Sequence, residues 1–141
     1  MINTMGPLID SYYSVLSGQL TYNGNPVDVY KEDVPESEHE HHVILRAEGE
    51  VYDGNKRSFA DQSTVIVDIV TIFNNNVDTS VANNIDGQIG ALLCSTPSSS
   101  GLSASGLHIL NVERESSNYI REDDGVRKYY RKVSRYTQRV S

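Results

Sequence analysis

The stretch Thr64–Phe73, which reads TVIVDIVTIF, decides the fold of this chain. Its β-branched and aromatic side chains favour the pleated backbone of a sheet. Successive side chains of a strand point to opposite faces, and apolar residues occupy both faces here. They are Val65, Val67 and Ile69 on one face, and Ile66, Val70 and Ile72 on the other. The stretch therefore predicts a central strand with cover on both sides.

Two helices are predicted, one before and one after this strand. Residues 7–17 carry apolar side chains at spacings of three and four, and Ser17-Gly18 ends the pattern. Residues 81–93 repeat the spacing directly after the strand, and Asn76 or Asp78 is available as the N-cap.

Short strands and turns fill the other parts of the sequence. In chain order they are a turn at 22–26, a strand at 27–31, an acidic loop at 32–40, a strand at 41–52, the hairpin turn Asp53-Gly54-Asn55-Lys56, a Ser/Gly-rich loop at 95–106, and a last hairpin from 107–112 through Asp123-Asp124-Gly125 to 126–140. This order predicts one α+β domain, 1–141, with an antiparallel sheet of about five strands and two helices packed on one face.

The second face of such a sheet would be left without helices. Its apolar side chains would stay in contact with water in an isolated chain, and exposed apolar patches mark contact sites. We therefore expect Ile66 or Val70 to be buried at a contact with another subunit, or beneath the loop at 95–106.

Charge is divided unevenly along the chain, whose net charge is −7. Residues 1–120 contain 16 acidic and 5 basic residues, whereas residues 121–141 contain 3 acidic and 7 basic ones. The net charges of the two parts are therefore −11 and +4. This division favours contacts between copies, or with an acidic partner. The alternative is a solvated strand face.

Six residues are candidates for such contacts through their charge. Tyrosines alternate with the basic residues of the last hairpin, a mixture that protein interfaces favour. Nucleic acid is the alternative partner, but the −11 remainder of the chain would repel it. The candidates there are Arg127, Lys128, Arg131 and Arg135, and Lys56 and Arg57 are isolated cations beside the predicted turn at 53–56.

No catalytic residue emerges from the sequence. No serine stands in a Gly-x-Ser-x-Gly elbow, and no glycine-rich loop carries the lysine that binds phosphate. Cys94 is the only cysteine, so no internal disulfide can form, and we expect it to be buried near a helix end. No stretch approaches the ~20 apolar residues of a membrane span, and we expect a protein of the cytoplasm without membrane contact.

The segment Glu38-His39-Glu40-His41-His42 is the one candidate metal site. His39 and His41 would share a face of a strand, and two histidines at that spacing can bind zinc. His108 is the only further histidine, so the ligand set is incomplete. We expect no metal and no cofactor.

The order of elements resembles that of the tail terminator, or tail completion, proteins of long-tailed bacteriophages. The matching features are the short helix ending at Leu16-Ser17-Gly18, the strand around Val43-Ile44-Leu45, the long strand at 65–73, the helix at 81–93, and the terminal pair formed by 107–112, the Asp124-Gly125 turn and the last strand. The resemblance spans nearly the whole chain.

The resemblance implies a structural virion protein that is not an enzyme. Such proteins form a ring, usually of six copies, which caps the tail tube and joins it to the head-side connector protein. The expected partners are copies of the chain, the tail tube protein and the connector, with DNA only as cargo passing through the lumen. The protein would lie in the tail or neck of the virion, after assembly in the host cytoplasm. Another neck protein, for head closure or as an adaptor, is the alternative, followed by a small metal- or ligand-binding cellular domain.

Overall fold

A computed structural model of the chain describes residues 5–34, 40–52, 61–93 and 109–140. These ranges contain two helices and seven strands. The helices are α1 (Met5–Leu16) and α2 (Thr79–Leu93), and the strands are β1 (Thr21–Tyr22), β2 (Asn25–Pro26), β3 (Asp28–Lys31), β4 (His42–Tyr52), β5 (Asp61–Phe73), β6 (Ile109–Asp123) and β7 (Lys128–Val140). The order of helix, strand, hairpin, helix and hairpin agrees with the prediction. The predicted turn at 53–56, the loop at 95–106 and Cys94 lie outside the described residues.

Five strands form the main sheet in the order β3-β4-β5-β7-β6, while β1 and β2 pair only with each other. The prediction of an α+β domain with a sheet of about five strands is confirmed. It is wrong in one respect, because β3 runs parallel to β4, with Asp28 beside His42 and Lys31 beside Leu45. The two strands therefore start at the same end of the sheet.

The central strand β5 has the two-faced pattern that its sequence predicts. Val65, Val67 and Ile69 are at most 1% exposed, and they point to the face covered by the helices. Both helices contribute to this core through Leu8, Tyr12, Leu16, Val81, Ile85, Ile89 and Leu93. The layers are joined by a buried hydrogen bond that the Tyr12 hydroxyl donates to Oε1 of Gln138 on β7 over 2.5 Å.

Local signals fix the ends of both helices. At the end of α1, the backbone N–H of Ser17 donates to the carbonyl of Tyr13, and Gly18 has a φ of +77°, which costs glycine little. At the start of α2, Asp78 is the N-cap, because its carboxylate accepts the backbone N–H of Ser80 over 3.0 Å. None of the helices in the described ranges is long and apolar enough to cross a lipid bilayer.

The strand β6 is much longer than the predicted strand at 107–112. It continues to Asp123 as the outer neighbour of β7 and contains irregularities between Leu110 and Glu113 and between Arg114 and Ser116. Its sequence is almost entirely polar after Val112, as an edge strand allows, and the irregularities interrupt the alternation. Because of these two properties, apolar periodicity does not predict the part of the strand that follows residue 112.

The face of the main sheet opposite the helices is here called the open face. It exposes less apolar surface than the sequence predicts. Val70 is only 6% exposed and Ile44 only 5%, although neither belongs to the helix-side core. The register places His42 and Arg131 on either side of Val70. The expectation that Val70 is exposed to solvent in an isolated chain is therefore wrong. Ile66 and Ile72, in contrast, are partly exposed.

The two faces of β5 predict opposite responses to a buried charge. Val67→Asp would put a carboxylate into the helix-side core, where Val67 is 1% exposed, and we expect a loss of about 4 kcal/mol or more in unfolding free energy. Ile66→Asp would stand between Arg46 and Arg135 in the register, and we expect a change within about 1 kcal/mol. Urea unfolding of both variants measures the difference. Equal losses would mean that the open face is also core.

Candidate functional site

A buried carboxylate occupies the centre of the open face. Asp68 on β5 has no exposed surface, and Nη1 of Arg46 on β4 donates to its Oδ2 over 2.8 Å. From the other side, Arg131 on β7 donates to Oδ1 through Nε over 3.2 Å and to Oδ2 through Nη2. The three central strands of the sheet are thus joined by one carboxylate, in addition to their backbone hydrogen bonds.

Arg131 has a second acidic partner at the edge of the open face. Its Nη1 lies 3.0 Å from Oε1 of Glu122 on β6. The hydrogen bonds to Asp68 are the main cause that raises the pKa of Arg131, and Glu122 adds to the effect. The guanidinium group therefore remains charged and fixed within its own chain.

A second charged cluster lies on the helix side, between α2 and the last two strands. Nζ of Lys132 lies 2.9 Å from Oδ2 of Asp86, and Nη1 of Arg114 lies 2.5 Å from the same oxygen. Asp86 and Lys132 are both less than a tenth exposed. Burial lowers the pKa of Lys132, but the hydrogen bond and charge of Asp86 outweigh it, so the pKa is raised. The cluster ties α2 to the β6–β7 hairpin.

The +4 segment at the end of the sequence is therefore partly neutralised inside its own chain. Arg131 pairs with Asp68 and Lys132 pairs with Asp86, both of them acids of the −11 part. The predicted contact residue Arg131 is consequently not available as a simple surface charge. Reversing its charge would break the Asp68 cluster before it could report on assembly.

The other candidate contact residues fall into three places. Arg127 and Lys128 lie at the turn between β6 and β7, and Lys128 is exposed. Arg135 lies on the open face, where the register pairs it with Ile66. Lys56 and Arg57 lie outside the described residues. The structure thus brings Ile66 and Arg135 together and separates them from the turn.

The turn between β6 and β7 is held by side-chain hydrogen bonds that the sequence analysis did not predict. Oδ1 of Asp124 accepts the backbone N–H groups of Val126 and Arg127 over 2.9 and 2.6 Å, and Oδ1 of Asp123 accepts that of Gly125 over 2.8 Å. These hydrogen bonds from the backbone of Arg127 and Val126 lower the pKa of Asp124, so the carboxylate stays ionised. The locked turn presents Val126 with 77% of its surface exposed.

His41 and His42 make packing contacts and hydrogen bonds at the end of the sheet. His41 lies edge-on to Tyr22 and tilted against Phe73, with ring centroids 6.0 and 5.4 Å apart, and its Nδ1 accepts the backbone N–H of Ile72 over 3.1 Å. Nδ1 of His42 lies 2.8 Å from the carbonyl oxygen of Glu40. Among the described residues there is no group of three side chains that could hold a metal ion. His39 and His108 lie outside them, so the absence of a metal stays a prediction.

The fold is similar to that of a chain in a solved virion structure. No protein-family model matches the chain, and no curated protein matches it. Among solved structures, the chain is similar to one described as the virion of a native gene transfer agent (GTA) particle. The similarity covers 99% of each chain, with a TM-score of 0.70 and 14% sequence identity. The whole α+β fold, including the long β6–β7 pair, is therefore shared with a chain of that virion structure.

The buried carboxylate of Asp68 gives a stability prediction with a matched control. Asp68→Asn keeps the shape but removes the charge between two arginines, and we expect a loss of about 3 kcal/mol in unfolding free energy. Asp10→Asn removes the exposed ion pair with Lys31 on the surface, and we expect at most about 1 kcal/mol. Denaturant unfolding measures both variants. An equal loss in the two would show that the Asp68 cluster adds nothing beyond a surface pair.

His41 gives a prediction for the dependence of stability on pH. Burial lowers its pKa in the folded chain, and protonation of Nδ1 would remove the acceptor for the Ile72 N–H. The unfolded chain therefore binds the proton more readily, so the unfolding free energy should fall as the pH drops through about 6.5. We expect His41→Gln, which cannot titrate, to lose less stability than wild type between pH 7.5 and 5.5. Identical pH profiles would contradict this role.

Proposed function

We propose that this chain is a structural subunit of a virion and that copies of it assemble into a ring. The observation that carries the proposal is the fold shared with a chain of the gene transfer agent virion over 99% of both chains. A likeness that covers both chains from end to end relates the whole domain, including its long hairpin, to a protein of a particle. At 14% identity the sequences have diverged widely, so the finer role is argued from the architecture.

Within the virion, the proposed role is that of a tail terminator, which caps the tail tube and joins it to the head-side connector protein. Tail terminator proteins have an N-terminal helix, a β-hairpin, a second helix and a final strand pair, and α1, β4–β5, α2 and β6–β7 follow that order. Head closure or adaptor proteins of the neck are the alternative position. Either position makes the protein a component of the tail or neck, assembled in the host cytoplasm.

The described chemistry of the chain supports a role in assembly. Its charged clusters hold elements together, because Asp68 joins three strands and Asp86 joins α2 to the last hairpin. The imidazole of His41 is engaged in packing and in a backbone hydrogen bond, which argues against the cellular metal-binding alternative. In the proposed ring, DNA passes through the lumen as cargo, without base-specific contacts.

Among the described residues, the surfaces proposed for contacts are the two edges of the sheet, the hairpin turn and the open face. The long edge strand β6 carries Tyr119 and Ile120, which are 53% and 40% exposed. Edge strands and exposed apolar side chains both favour association with further chains. The candidates Ile66 and Arg135 on the open face, and Arg127 and Lys128 at the turn, remain proposed contact residues for neighbouring copies or for the tail tube protein.

Assembly of the purified protein tests the proposal. We expect light scattering after size exclusion to give the mass of a ring, usually six copies, and electron microscopy to show closed rings with a central hole. Added to tubes of the tail tube protein from the same genome, the rings should sit at one end of each tube. Protein that stays a monomer at every concentration and leaves the tubes bare would contradict the ring and the terminator role. Rings that ignore the tubes but bind the connector would favour another neck position.

A further inference from the structure

A groove of about 320 Å³ runs along the outer side of the edge strand β3. It is lined by the end of α1, including Tyr13 and Gly18, and by residues 26–30. Its lining is mixed, with the rings of Tyr13, Pro26 and Tyr30 beside the exposed carboxylate of Asp28. An open groove of this kind can receive a small apolar side chain that is accompanied by a cation.

The β6–β7 turn has the properties of a preformed ligand. Val126 is the most exposed large apolar side chain among the described residues, and the backbone that carries it is held by the carboxylates of Asp123 and Asp124. Ordering a loop on binding costs entropy, and a loop that is already fixed avoids that cost. Arg127 and Lys128 follow the valine directly, so the apolar side chain is accompanied by two cations.

The groove and the turn lie at opposite edges of the sheet but at the same end of it. The register pairs Asp28 with His42, His42 with Val70 and Phe73 with Lys128, so β3, β4 and β7 begin where β5 ends. The sheet order puts β3 at one edge and β6 at the other, about 19 Å apart for strands spaced by about 4.8 Å. Copies placed edge to edge in the same orientation would bring the turn of one to the groove of the next.

We propose that the β6–β7 turn of each copy docks into the β3 groove of the next copy, with Val126 between the rings of Tyr13, Pro26 and Tyr30. Arg127 or Lys128 then faces the carboxylate of Asp28 and forms one pair of opposite charges with it, while the carboxylates of Asp123 and Asp124 are held by the backbone of their own turn. The apolar side chain becomes buried, and the cations fix its register.

This inference deepens the proposed function and rests on it, because a ring needs one surface of each copy to meet a different surface of the next. A turn and a groove at opposite edges supply such a pair of surfaces. A contact between two identical surfaces would instead end at a dimer.

Cross-linking between differently tagged copies tests the docking directly. Both copies carry Cys94→Ser, one also carries Val126→Cys, and the other carries Pro26→Cys. We expect mild oxidation of the mixture to join the two tags by a disulfide, because the turn of one copy reaches the groove of the other. The control pair replaces Pro26→Cys by Asn84→Cys, an exposed position on α2, and should give no link. Linking in the control pair but not in the groove pair would overturn the docking.

Self-association of two turn variants gives a second, independent measurement. Val126→Asp places a carboxylate between the rings and in the same groove as the carboxylate of Asp28, and we expect it to weaken association at least about tenfold. Val126→Thr keeps the shape and should weaken it less. Val126 is 77% exposed, so both variants should keep the circular dichroism and melting temperature of wild type. Association that Val126→Asp leaves unchanged would overturn the proposal.

The two readouts separate failure of the docking from failure of the ring. Closed rings without the groove-pair disulfide would retain the ring and overturn the docking. The groove-pair disulfide in open chains that never close would support the docking and contradict the ring. A disulfide from Val126→Cys to the tail tube protein, with none to Pro26→Cys, would assign the turn to that protein and overturn the docking between copies.

Discussion

The carboxylate of Asp68 has no exposed surface, and neither of the two described helices covers the face of the sheet that contains it. A buried charge of this kind is tolerated only with close partners, which Arg46 and Arg131 supply from the two flanking strands. Long arginine side chains also shield apolar neighbours with their carbon stems. The ion cluster and its surroundings thus leave Val70 and Ile44 almost fully buried.

Much of the fold follows from local signals in the sequence. The alternation in TVIVDIVTIF places Val67 in the core, and Asp78 and Ser17-Gly18 mark helix ends at positions that the structure shares. The parallel direction of β3 could not be predicted, because it is set by the pairing of β3 with β4 and no pattern within residues 28–31 encodes it. The Asp68 cluster has one signal in the sequence, because a single aspartate inside an apolar strand needs a partner when it is buried. Its partners come from strands 22 and 63 residues away in sequence, and no local pattern identifies them.

The uneven charge of the sequence has a different meaning once the chain is folded. The basic last strand lies inside the sheet, between β5 and β6, where two of its cations neutralise carboxylates of the acidic part. The charges of the sequence suggest attraction between copies. For Arg131 and Lys132, however, the attraction acts within one copy. The remaining candidate contact cations lie at the hairpin turn and at Arg135, and Tyr119, Ile120 and Val126 are the exposed large apolar side chains of the described residues. The proposed contacts at the sheet edges would therefore combine few charges with a few exposed apolar side chains.

The position of β7 between β5 and β6 also governs how the domain can fold. Ile69 of β5 meets Lys132 of β7 across 63 residues of chain, so the middle of the sheet is closed by a distant pairing. Domains rich in such long-range contacts fold slowly, because the entropy of loop closure is lost before the stabilising contacts form. Until residues 128–140 have left the ribosome, β5 has a bare edge and the carboxylate of Asp68 lacks Arg131. Folding of the sheet is therefore limited by the arrival of β7, the strand that joins its two halves.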